Sequence, residues 1–491
     1  MKVPLDIFTG FYESESQPFN SQRCVNLVPV IPQVSSLNQR ALFGSDGITE
    51  KAEISGSGRG SIKANGVSYF VNGTSFYSID SNYTAVNLGT VAGSERVSMA
   101  TNTTVDSVTK IVIVVPGSTS YVYDSSLGTV AAITSTNFLT SDTVSFKDGY
   151  YIFTASNGLQ AFNSALNDPQ TYDALDRFTA EIDPDLIIAS IVNHNELYIM
   201  GEETGELFQL NSSIIDGSPF QRVPGGNVEK GLHSKYGVIS FDNSFVFIGG
   251  GKNELSAIWK LTGSASAIKI STSAIDSKIQ EFTKEEIAES FTMVWSKKGQ
   301  TFVSFTFESA RIPSRTFIYN ATTSALSGAS TWHEQQSGVS DRGNRWRVAS
   351  IVFAYGELLV SDQSTGKIGM LDSDAFTEYG EAILRQVISQ PYRALDNAQF
   401  FDNLELVMEA GVGLTSGHGS DPIVRMKFSN NGTKTWSPEF SRKFGKIGEW
   451  MRRIKWRRQG RAPTNRVVSF IMTDPVRCNI LACSIYDEAG E

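Results

Sequence analysis

The sequence predicts an all-β fold, a β-propeller of about seven blades, with six or eight possible, followed by a C-terminal β-sandwich-like domain. Short apolar strands repeatedly flank tight polar turns, and these turns recur every 40 to 57 residues or so, the length of one four-stranded blade. Thirty Phe and 16 Tyr, together with many Val, Thr and Ser, tilt the composition toward strands. At 491 residues the chain is too long for one ordinary core. A propeller is the exception, because it grows by adding blades to a ring.

In chain order, residues 1–55 are rich in Pro, Ser, Asn and Gln and read as an extended arm. Such an arm either closes the ring or reaches a neighbouring subunit. Residues 56–384 read as the propeller. Turns are expected near Asn65-Gly66, Thr109-Lys110, Asp148-Gly149, His194-Asn195, Asp242-Asn243, Lys298-Gly299 and Tyr355-Gly356. Gly and Asn supply the positive φ that two-residue hairpins require. The unit Tyr150-Tyr151-Ile152-Phe153, Ser156-Asn157-Gly158, Leu159-Gln160-Ala161-Phe162 is strand, turn, strand, and others repeat it.

A helical insertion is expected near residues 273–291. Ile275, Ile279 and Phe282 share a helical face, and Thr283-Lys284-Glu285-Glu286 reads as a capping box. Residues 385–491 read as a separate β domain, with strands at 403–409, 423–429 and 467–472.

The net charge is −9, which argues against a surface that grips nucleic acid everywhere. The sign is uneven. From Arg385 onward there are sixteen Lys and Arg against eleven Asp and Glu, leaving twenty-six basic and forty acidic groups before it. The strongest anomaly is residues 442–461, where Arg442, Lys443, Lys446, Arg452, Arg453, Lys455, Arg457, Arg458 and Arg461 face one acid, Glu449. In an extended strand Ile454 and Trp456 point one way and Arg453, Lys455 and Arg457 the other. This segment is a candidate subunit-interface or DNA-facing surface. The bland alternative is an edge strand kept from aggregating by its charges.

Little else suggests chemistry. The histidines His194, His233, His333 and His418 lack metal-ligand spacing, and no nucleophile elbow occurs. Gly249-Gly250-Gly251-Lys252 is followed by Asn253, so it reads as a hairpin and not a phosphate loop. The pairs Asp183/Asp185 and Asp372/Asp374 are the places where a glycan-hydrolysing propeller would put its acids, although turn acids are the simpler reading. No catalytic residue, cofactor or metal is expected. Cys24, Cys478 and Cys483 do not make a disulfide framework, and no stretch reads as a signal peptide or a membrane span.

Several segments, in order, resemble the packaged-DNA stabilisation or tail-hub proteins of short-tailed phages (podoviruses). They are Gln22-Arg23-Cys24-Val25-Asn26-Leu27-Val28-Pro29, Gly58-Arg59-Gly60 and residues 93–100; then Asp183-Pro184-Asp185-Leu186-Ile187 and Val228-Glu229-Lys230-Gly231; and finally Trp456-Arg457-Arg458-Gln459-Gly460-Arg461-Ala462 and Thr473-Asp474-Pro475-Val476. Ser45-Asp46-Gly47-Ile48 departs from the family's usual proline.

The resemblance implies a structural virion protein of the tail, made in the host bacterial cytoplasm, with no enzymatic activity and no membrane partner. It implies a self-assembled ring, expected to be a homohexamer, below the head–tail adaptor and portal complex. That ring would line the exit channel for packaged double-stranded DNA, without sequence specificity, help retain the genome, and carry a needle, spike or fibre proteins. The alternative is a carbohydrate-binding or glycan-hydrolysing propeller.

Overall fold

The computed structural model describes residues 2–102, 108–180, 185–211, 213, 217–393 and 398–489. Among them seven antiparallel sheets form the blades of a propeller. The innermost strands are, in order, Gly58–Ala64, Ser98–Thr101, Ser141–Lys147, Ile187–Asn193, Val238–Phe241, Phe291–Lys297 and Val348–Ala354. Each touches the next, and the last touches the first, so the ring is closed.

The second strand of a blade is covered on both faces by the neighbouring blades. It therefore reads as a continuous apolar run, where a half-solvated strand would alternate. Ile111 to Val114 in blade 2, Tyr151 to Phe153 in blade 3, Leu197 to Met200 in blade 4 and Phe245 to Ile248 in blade 5 are all fully buried. Between blades 2 and 3, Val112, Val114, Phe153, Phe162 and Tyr172 make one cluster, with the Phe153 and Phe162 rings stacked at 5.1 Å.

The turns between first and second strands behave as their residues require. Asn65, Asp148, His194, Lys298 and Tyr355 take φ between 46° and 56°, and Asp242 and Asn243 take 50° and 53°. At Thr109-Lys110 the expectation is corrected. Lys110 already belongs to strand Lys110–Val114 and pairs with Asp124, while Thr109 precedes the strand and residues 103–107 of the connection lie outside the described residues.

Two short helices, Ser273–Ile279 and Lys284–Ala288, connect blades 5 and 6, and Ile275, Ile279 and Phe282 are buried in one cluster with Val246, Ile248, Val303 and Phe305 of those blades. Thr283 and Glu286 form a reciprocal capping box. A third helix, Ala321–Ser327, was not expected. It carries too few apolar residues to show a period, and is started by the Asn320 side chain accepting from the Thr323 N–H at 3.0 Å.

The outer strand of blade 7 comes from the start of the chain: Gly47–Glu53 pairs antiparallel with Lys367–Asp372. Ser21–Val25 in turn joins the outer strand of blade 6, Trp332–Glu334, to Arg385–Ile388. The same sheet continues through Val467–Met472 and Ile423–Ser429 to Phe440–Lys443. A second sheet, ordered Leu27–Val30, Ala41–Gly44, Asn479–Ala489, Gln399–Met408 and Ile454–Ala462, packs on it to make a sandwich. Lys2–Pro4 also pairs with Asn479–Ala489. The first 53 residues are thus spread over both regions.

A buried ion cluster marks their junction. Glu334, 3% exposed, is held by the Arg23 and Arg315 guanidinium groups. Burial alone would push its carboxyl up, but the two arginines hold it below the usual carboxylate range. Beside it Asn26, at φ 51°, donates to the carbonyls of Gln336 at 2.8 Å and Leu384 at 2.7 Å.

Candidate interaction surfaces

The basic segment occupies the two edge strands of the sandwich and their connection. Arg442 and Lys443 lie in Phe440–Lys443, at the edge of one sheet; Lys455, Arg457, Arg458 and Arg461 lie in Ile454–Ala462, at the edge of the other. Lys446, Arg452 and Arg453 lie between them. Ile454 and Trp456 face the core at 2% and 0% exposure, while Arg457 is exposed. The two edges are stitched together: Trp456 Nε1 donates to the Phe440 carbonyl at 2.8 Å, and Arg442 Nε donates to the Lys455 carbonyl at 3.1 Å.

Arg442, Lys443, Arg452, Arg453, Lys455 and Arg457 converge on one cleft of about 340 Å3, whereas Lys446, Arg458 and Arg461 do not line it. Some of the charge is answered locally. Arg453 pairs with Glu405 at 2.5 Å, and Lys455 and Lys2 approach the same carboxylate at 3.9 and 3.6 Å. Burial would push Glu405 up; the cations hold it low. Lys443 pairs with Asp421 at 2.5 Å. Arg457, Arg458 and Arg461 make no ion pair among the described residues. The cleft therefore keeps unmatched positive charge at an exposed edge, suited to phosphate or carboxylate groups.

Two features of this region carry only a weak signal in the sequence. Arg466 is 2% exposed and lies over the Phe401 and Phe428 rings at 4.4 and 4.2 Å, donating to the Gln459 and Arg461 carbonyls. It braces the bulge at Arg458-Gln459, where Arg458 has φ 56°. The other is the trio Ile447, Trp450 and Met451, exposed in the middle of the basic run. Trp450-Met451 next to Arg452 was the signal available.

A second concavity lies on the propeller axis. Its cleft of about 510 Å3 is lined by the innermost strands of blades 2 to 6. At the end where those strands begin, the Tyr236 hydroxyl of blade 5 donates to the Arg96 carbonyl of blade 2. The Arg96 guanidinium lies 3.7 Å from the Phe291 ring centre in blade 6 and donates to the Ala349 carbonyl in blade 7 at 2.5 Å. Blades that are not neighbours in the ring can touch only across its axis. These contacts bridge the axis at that end.

Among the described residues the remaining sequence candidates make local contacts. Asp185 accepts from the backbone N–H groups of Glu203 and Thr204 at 2.7 and 2.9 Å. Asp183 lies outside the described residues. Asp372 accepts from Thr49 and from the Asp374 N–H, both at 2.9 Å, and Asp374 pairs with Arg477. His194 occupies a turn, His233 meets Ser256 Oγ at 2.7 Å, His333 is buried, and His418 lies 3.0 Å from Asp474. Gly249 faces Gly231 so closely that a Cβ would lie 1.8 Å from its carbonyl, and the run forms the hairpin between Ser244–Gly250 and Ala257–Thr262. Among the described residues no three His, Cys, Asp or Glu side chains form a metal-binding group, and no helix is long and apolar enough to cross a membrane.

Comparison with known proteins gives two adjoining family matches. The model of the bacteriophage P22 Gp10 β-propeller matches residues 1–376, and that of the P22 Gp10 β-sandwich matches residues 387–488. A curated relative, the tail hub protein gp10 of Salmonella phage P22, is 26% identical over 379 residues, 74% of this chain and 75% of that protein. Among solved structures, the computationally designed protein Ika8 aligns at 12% identity and TM-score 0.37, over 72% of this chain and all of that one. A chain of the mitotic checkpoint complex aligns at 11% and 0.37, over 70% of this chain and 98% of that one. At these scores the two likenesses carry no argument.

Proposed function

The chain belongs to the bacteriophage P22 Gp10 phage-stabilisation family, and from that premise we propose that it is the hub of a short phage tail, a structural part of the virion. The observation that carries this is the match of both regions, propeller and sandwich, to one family in one order. The finer reading is a closed ring of identical subunits, a homohexamer, seated below the portal and adaptor. DNA runs between the subunits and not through their propellers, whose axes are crossed by Arg96 and Tyr236. Distal needle, spike or fibre proteins attach below. The role requires no catalysis and no cofactor.

The proposed division of labour follows the chain's three parts. The arm of residues 1–55 clasps, the propeller of 56–384 provides the rigid body, and the domain of 385–491 presents the basic segment 442–461 to a partner. The test is genetic. Phage particles made without this chain are expected to package DNA and then lose it, leaving empty heads without tails. Stable, filled and infectious particles made without it would rule the reading out.

A further inference from the structure

Large apolar side chains left bare among charges mark contact sites. In the connection between Phe440–Lys443 and Ile454–Ala462, Met451 is 97% exposed, Ile447 59% and Trp450 57%, beside Lys446 and Arg452. The connection is held in shape. The Glu449 N–H donates to the Lys446 carbonyl at 3.0 Å, and the Lys446 N–H to the Glu449 carboxylate at 3.2 Å. Gly411 packs so closely beneath that a Cβ there would meet the Trp450 backbone nitrogen at 3.3 Å. The turn at the other end of Phe440–Lys443 touches the arm, with Thr433 Oγ1 donating to Gln17 Oε1 at 3.4 Å. The knob itself stays exposed at Ile447, Trp450 and Met451.

A matching hole lies on the propeller, between blades 4 and 5 and the two connecting helices. It is a cleft of about 380 Å3 with Phe282 and Ile287 on its wall. Leu255, 69% exposed, stands at its rim with Glu202, Glu203 and Glu254. Lys284 and Lys230 each answer one of the three carboxylates, Glu202 and Glu254 respectively. Burial holds His233 below its usual range, so it adds no positive charge near neutral pH.

We infer that the 445–453 knob of one copy seats in the blade 4–5 cleft of the next copy, Trp450 and Met451 against the apolar wall and Arg452 toward the Glu202–Glu203 rim. Charge favours a second copy as occupant, because the acidic body and the basic C-terminal region belong to every chain. Knob and hole are different patches, so the contact is heterologous and repeats head to tail until a ring closes. This rests on the hub reading above and names the contact that would build its ring.

The test uses the full chain with Met451→Cys and Leu255→Cys together. Cys24, Cys478 and Cys483 are buried, so the introduced thiols are the ones that oxidise. A ladder of disulfide-linked multimers, absent from either single variant, is expected. Independently, Arg452→Glu should weaken self-association about tenfold or more, and Glu203→Lys in the same chain should restore it. A ring that forms without the cross-link and ignores the charge swap overturns this contact and leaves the hub reading standing. Arg452→Glu reducing retention on double-stranded DNA while self-association is unchanged also overturns it, assigning the knob to nucleic acid. A chain that stays monomeric even on a portal–adaptor complex overturns both.

Discussion

Blades 2 to 5 and the sandwich pair their strands in opposite ways. In those blades nearly every strand pairs with the next strand in the chain. In the sandwich, Asn479–Ala489 is flanked by Gln399–Met408 on one side and by Lys2–Pro4 and Ala41–Gly44, from the other end of the chain, on the other. Local pairing makes the propeller body a set of near-repeats. Pairing of the two chain ends makes the sandwich a clasp that locks the ring shut. The same beginning of the chain supplies the outer strand of blade 7, so clasp and closure are one device.

The sharpest way to break the comparison is to remove residues 1–53. Blade 7 loses its fourth strand and the sandwich loses strands from both sheets, so the cooperative thermal transition seen by circular dichroism should disappear. A truncated chain that still melts within a few degrees of the intact one would show that the clasp is dispensable.

Next in size is the junction. Glu334→Ala leaves Arg23 and Arg315 buried without their counter-charge, a loss of about 3–5 kcal/mol. Because it cuts the tie between the two regions, urea unfolding should split into two steps. Phe153→Ala, inside a blade, costs a similar ~3–5 kcal/mol by cavity formation, but the transition should stay single. Splitting in the second variant and not the first would reverse the assignment.

A third effect depends on pH. Glu378, 2% exposed, lies where Thr377–Glu378 runs parallel to the arm strand, pairing with Ile48, and accepts from Trp346 Nε1 at 3.0 Å. Burial pushes its carboxyl up to about 7. The folded chain then binds this proton more tightly than the unfolded chain does. The associated stability is fully present below the ordinary value of 4.5 and is lost as pH rises through about 7. Glu378→Gln removes the dependence. Relative to the native chain, the variant should gain up to about 3 kcal/mol on going from acid to mildly alkaline pH in denaturant titrations. Parallel profiles for the two proteins would mean that Glu378 is charged in the fold.

The smallest effect is on the axis. Tyr236→Phe removes the hydroxyl donated to the Arg96 carbonyl and should cost about 1 kcal/mol. No measurable change would mean that this cross-axis tie is replaced by water.

The same contrast explains what could be read from the chain. Asn65-Gly66, Asp148-Gly149 and Lys298-Gly299 announce their turns because positive φ is costly for most other residues. The buried second strands show as apolar runs such as Ile111 to Val115. Seven blades, a helical insertion with its capping box and a C-terminal sandwich were legible on those grounds. The fusion of Ser21–Val25 into both the blade 6 sheet and the sandwich was not, since pairing between distant segments leaves no period. Nor was the placing of Lys110 as the first residue of its strand, since a lysine gives no strand signal.

At the candidate surface, the in-and-out alternation of Ile454 and Trp456 against Arg453, Lys455 and Arg457 follows from strand geometry alone. That Arg442 and Arg452 share a cleft with them depends on two sheet edges meeting, which no local pattern encodes. The hole at blades 4 and 5 was equally hidden, because Glu202, Leu255 and Phe282 come from three separate connections.

The most direct test of the hub assignment is the mass and shape of the purified full chain, alone and mixed with a portal–adaptor complex, by light scattering and negative-stain imaging. A ring of about six copies, formed alone or on that complex, is the expected result. A monomer that ignores the complex and binds a glycan would contradict it.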